Sequence, residues 1–117
     1  MALRFVSLRV ERMQRYEYVR RVLEAYCMTP GTCGAVRRAD RLLAADLHER
    51  GVPAEAVENA LVLAAVRRLI RPVGAPPLAT VRSLAYFLPV LDEVLLLEAS
   101  PDYFRYLRSK LLRLSAR

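Results

Sequence analysis

Apolar residues along this chain recur at spacings of three and four, the period of a helix with one buried face. Over 8–28 they fall at Val19, Val22, Leu23 and Tyr26, and Thr29-Pro30-Gly31 closes the segment. Val36, Leu42, Leu43 and Leu47 predict a second helix over 33–50, with Gly51 where a left-handed C-terminal cap belongs. Pro53 suits the first residue of a third helix over 53–71, and Glu55 and Glu58 lie near the positive end of its dipole. Between Ala60 and Val66 that helix is apolar on most of its circumference, which predicts a central position packed on several sides.

Pro-Val-Gly-Ala-Pro-Pro at 72–77 is the one linker-like segment. After it, Pro89 interrupts the run VRSLAYFLPVLDEVLLLEA, removing an amide donor and disfavouring helix at Leu88. A kink, or a break into a short helix and a longer one, is expected there. Ser100-Pro101-Asp102 sets a capping residue, a first-turn proline and an acid in order, and starts a last helix that runs towards Ser115. LRFVSLRV near the beginning of the chain alternates like a strand but is too short to decide. The pattern predicts an all-α fold, a single domain over 1–117 built as a compact bundle of about five helices. The fourth is kinked or broken near Pro89, and residues 1–7 are expected to be loosely ordered.

Composition agrees with one globular domain: 117 residues, 55% of them hydrophobic, bury a core without staples. No apolar run approaches the roughly 18 residues a bilayer span needs, since ALVLAAV at 60–66 ends at Arg67. Arg4 and Arg9 interrupt the apolar part of the first residues, which is unlike a signal peptide. A soluble cytoplasmic protein with no membrane association is expected. Cys27 and Cys33 suit that compartment as reduced thiols, and a bridge across the intervening turn stays open.

The inventory argues against catalysis. His48 is the sole histidine, and with Cys27 and Cys33 it lacks the paired close spacing of a structural zinc site. Gly31-Thr32-Cys33-Gly34 is neither a Walker loop nor a dinucleotide fingerprint. Asp92 and Glu93 are adjacent and so point different ways on a helix. No nucleophile sits in a recognisable elbow, and the expectation is a noncatalytic protein with no metal and no cofactor.

Charge points to partners. Nineteen basic against twelve acidic residues give a formal +7, which attracts nucleic acid, acidic proteins or anionic lipid. Eighteen of the nineteen are arginine, a skew that GC-rich codon usage also produces, so position says more than identity. Arg67, Arg68 and Arg71 fall at the end of the third helix, where the dipole stabilises cations whatever the ligand. Arg105, Arg108, Lys110 and Arg113 decorate the last helix opposite Phe104, Leu107, Leu111 and Leu114. Arg37, Arg38 and Arg41 are the most informative, because they load the start of the second helix, where acids are favoured. Behind Gly31 and Gly34, free amides and three guanidinium groups would cradle phosphate oxygens. Pairing with Glu17 or Glu24 of the first helix is the rival answer. The six tyrosines suit either stacking platforms for bases or the rim of the core.

The helices meeting at HERGVPAEAV suggest a helix-turn-helix, but its second helix would offer Glu55 and Glu58 to a DNA groove and repel phosphates. Backbone contact with little base reading is expected instead. Over 36–94, a helical pair followed by Arg82, Ser83, Tyr86 and Phe87 resembles small helical domains attached to bacterial replication-initiation and mobile-element proteins. The resemblance implies a nucleoprotein accessory role, although no winged-helix region or endonuclease motif accompanies it. Two functions follow as expectations. The first is a noncatalytic nucleic-acid-binding accessory subunit, DNA or RNA, that works within a larger nucleoprotein complex. The second is a protein-interaction module for an acidic partner, docking through Tyr86, Phe87 and Leu88. The first predicts basic clusters on one face; the second predicts scattered arginines and an exposed apolar surface.

Overall fold

The computed structural model describes residues 13–97 and 100–116, and the expectations of loose order over 1–7 and of a strand-like start lie outside them. Among the described residues there are five α-helices: α1 Arg15–Met28, α2 Arg38–Glu49, α3 Ala54–Leu69, α4 Leu88–Leu96 and α5 Pro101–Ser115. A short 3-10 helix, Leu84–Phe87, runs directly into α4. The break expected at Pro89 is therefore a change of helix type, with the proline in the first turn of α4, where its missing N–H costs nothing.

The central helix is α3, with α1, α4, α5 and the 3-10 helix packed around it. Its sequence explains this position, since Val57, Ala60, Leu61, Leu63, Ala64 and Val66 are all buried. α2 lies further out, against α1 and the 3-10 helix. Tyr18, Val22 and Tyr26 of α1 meet Ala44 and Leu47 of α2 and Phe87 in one continuous core.

Turn chemistry sets the boundaries. Gly51 takes φ +78° directly after the C-cap of α2, the left-handed cap expected of it. Ser100 caps α5, its hydroxyl accepting from the Tyr103 N–H. α2 starts five residues later than its periodicity suggests. Gly31 and Gly34 take positive φ, and the intervening chain turns aside to pair with Val81: Cys33 N–H donates to the Val81 carbonyl and Val81 N–H to that of Gly31. This Thr32 to Val81 bridge is the sole β pairing among the described residues. α3 stops at Leu69, which leaves Arg71 outside the helix rather than in its last turn.

Candidate functional site

At the start of α2 the anion is supplied by the chain itself. Arg37 is extended at the N-cap, and its N–H donates to Asp40 Oδ2 at 2.9 Å. The other carboxylate oxygen accepts from the Leu84 N–H at 2.9 Å. Asp40 is only 2% exposed, so this carboxylate caps the helix and ties it to the 3-10 turn. A second anion on these amides would meet a negative charge already in place. Arg37, Arg38 and Arg41 are exposed and make no ion pair among the described residues. The acids of α1 do not engage them there: Glu24 faces Arg20 at 3.8 Å.

The basic residues after α3 are turned to structural use. Arg67 grips Glu93 through two hydrogen bonds of 2.8 and 2.5 Å, joining α3 to α4, and holds that carboxyl below its usual value. Arg68 donates to the Ala79 carbonyl at 2.8 Å and to the Tyr86 hydroxyl at 3.0 Å, with its guanidinium 5.5 Å from the Tyr86 ring centre. Arg71 donates to the Pro76 carbonyl. These contacts fasten the 72–81 segment against the bundle. The Arg-Ser-x-x-Tyr-Phe stretch is punctuation of the same kind: Ser83 caps the 3-10 helix, Phe87 is buried, and Tyr86 receives Arg68.

On α5 the basic residues divide. Arg105 pairs with Asp102 at 2.6 Å in solvent, and Arg108 donates to the buried Asn59 side chain at 2.6 Å. Lys110 and Arg113 make no ion pair among the described residues. With Tyr103 and Tyr106 they form a line at spacings of three and four along one flank of the helix. Tyr103 is 43% and Tyr106 53% exposed, and the Lys110 ammonium sits 5.9 Å from the Tyr106 ring centre. The line sets two flat rings, Tyr103 and Tyr106, ahead of two cations, Lys110 and Arg113.

A second feature was not legible in the sequence. α1 and α2 flank an open groove of about 1200 Å³, walled by Tyr16, Val19, Leu23 and Met28 on one side and by Val36 and Leu42 on the other. The apolar surface expected at Tyr86, Phe87 and Leu88 is instead partly consumed, with Phe87 in the core. The remaining tyrosines, Tyr18 and Tyr26, are core residues, and burial pushes both hydroxyls up to about 12.

The helix-turn-helix geometry offers no reading helix in α3, where Ala54 is buried, Glu58 is bound by Arg21 and Asn59 by Arg108. Cys27 and Cys33 are free thiols. Among the described residues no group of three metal-ligating side chains comes together, and no helix is long and apolar enough to cross a membrane. Comparison with protein-family models, with curated proteins and with solved structures gives no match.

Proposed function

We propose that this protein is a noncatalytic accessory subunit that binds single-stranded nucleic acid through α5, with bases resting on Tyr103 and Tyr106 and phosphates meeting Lys110 and Arg113. The observation that carries this reading is a pair of exposed rings continued along the same helix flank by two cations. A tyrosine ring accepts any base on its face, and a cation one turn away lies within reach of the adjoining phosphate. The net +7 supplies long-range attraction. Arg37 and Arg38, exposed and unengaged by ion pairs among the described residues, add backbone contacts from their side chains rather than from the helix start, whereas Arg41 borders the α1–α2 groove.

Fluorescence anisotropy with labelled oligothymidine and a duplex of equal length tests the reading. The single strand binds more tightly than the duplex. Substituting Tyr103→Ala and Tyr106→Ala together weakens it at least about tenfold, in keeping with 1–3 kcal/mol per stacked base. Equal binding of both forms, unaffected by the tyrosine substitutions, contradicts it.

A further inference from the structure

The groove between α1 and α2 lies on other elements and supports a different interaction. α1 carries two apolar stripes. Tyr18, Val22 and Tyr26 enter the core, whereas Tyr16, Val19, Leu23 and Cys27 follow one another at helical spacing along the groove. Leu23 closes the floor, and the outer residues are left in solvent: Tyr16 is 76%, Met28 83% and Leu42 58% exposed. Large apolar side chains clustered in a concavity mark a place where another molecule packs.

The rim identifies the kind of molecule. Among the described residues Arg15, Arg20 and Arg41 border the groove with a single carboxylate, Glu24. Glu24 is matched to Arg20, which leaves Arg15 and Arg41 with no ion pair among the described residues. An apolar trough between unmatched cations complements a helix with one apolar face and carboxylates beside it. The groove follows α1, whose 14 residues span about 20 Å, enough for three to four helical turns. A second copy of this chain fits less well, since two grooves laid together would oppose rims of the same sign on molecules that each carry +7.

We infer that the α1–α2 groove docks an acidic amphipathic helix presented by a partner protein. The probe is a fluorescein-labelled peptide of about four turns, with leucines at helical spacing and glutamates elsewhere. It is titrated with the full chain, and a charge-reversed peptide carries lysine in place of each glutamate. The acidic peptide binds and the basic one does not. Leu42→Asp, on an exposed position that leaves the core intact, weakens binding at least about tenfold. Arg15→Glu with Arg41→Glu reverses the preference, so that the basic peptide becomes the ligand.

Absence of binding overturns the inference, as does equal binding of both peptides or indifference to Leu42→Asp. A dimer in sedimentation velocity that Leu42→Asp dissolves assigns the groove to a second copy and overturns it equally. The outcome is separable from nucleic-acid binding, because Leu42→Gln, which adds no charge beside the arginines of α2, weakens the peptide and leaves oligothymidine affinity unchanged, while the α5 tyrosine substitutions leave peptide affinity unchanged.

Discussion

Asp40 is the residue on which the α2 end of the fold turns. Its two oxygens hold the amides of Arg37, in the adjoining turn, and of Leu84, 44 residues on from Asp40, through one buried side chain. Asp40→Ala strands a buried Leu84 N–H as well as uncapping α2. The expected cost is about 2–4 kcal/mol in urea unfolding, against roughly half that for Asp40→Asn, which keeps one acceptor. Tyr18 and Tyr26 give the residue scale a pH signature. Both ionise near 12 when folded against an ordinary 10, because burial disfavours the phenolate, with the Asp40 charge adding to the effect at Tyr26. The folded state therefore favours the protonated form, and this stabilisation is complete below pH 10 and lost as pH rises from 10 through 12. The loss is on the order of 2–3 kcal/mol per tyrosine. Denaturant unfolding at stepped alkaline pH measures it, and Tyr26→Phe removes one share. A midpoint independent of pH across that range contradicts the burial account.

At the scale of elements, the turn after α1 and the end of α3 are locked together. Gly31 has φ +93°, and a Cβ there would lie 3.2 Å from Arg68 Nε. Gly31→Ala combines a left-handed backbone with displacement of the Arg68 side chain, for a loss of about 1–2 kcal/mol. Arg68→Gln gives a loss of similar size, about 1–2 kcal/mol, by removing the bonds to Ala79 and Tyr86. Its oligothymidine affinity stays within about twofold of the parent, since one screened charge is all the ligand senses. A large drop in affinity with unchanged stability would return Arg68 to the binding surface. Element ends were legible where local chemistry sets them, as at Gly51 and at Ser100-Pro101-Asp102. The start of α2 was not, because the 31–34 segment is held by Val81, a partner nearly fifty residues away that no local pattern reveals. The same limit hid the groove: Tyr16, Val19 and Leu42 fit an ordinary helical stripe, and only the packing of α1 on α2 decides which apolar residues stay outside.

For the molecule as a whole, the three basic clusters differ in kind although their composition is alike. Arg67, Arg68, Arg71, Arg105 and Arg108 are bound to groups of the chain itself: Arg67 and Arg108 join α3 to α4 and to α5, Arg68 and Arg71 fasten the 72–81 segment, and Arg105 pairs within α5. Sequence spacing could name these residues but not separate them, because an arginine engaged by a carbonyl 11 residues on reads the same as one in solvent. Among the described residues two surfaces are proposed for partners, the ring-and-cation flank of α5 and the basic-rimmed groove of α1 and α2. Together they suit a subunit held to an acidic helix of a larger assembly while it grips a strand. Salt dependence belongs to this scale. Three to four phosphate contacts give a log–log slope of about −2 to −3, and Arg113→Gln reduces it by about 0.7.

Amide chemical-shift mapping of the full chain titrated with oligothymidine tests the nucleic-acid assignment most directly. Perturbations concentrated on Tyr103, Tyr106, Lys110 and Arg113, with smaller ones at Arg37 and Arg38 and with the groove residues Val19 and Leu23 unmoved, are the predicted result. Shifts centred on α3 and the 72–81 segment, or none at low salt, would contradict it.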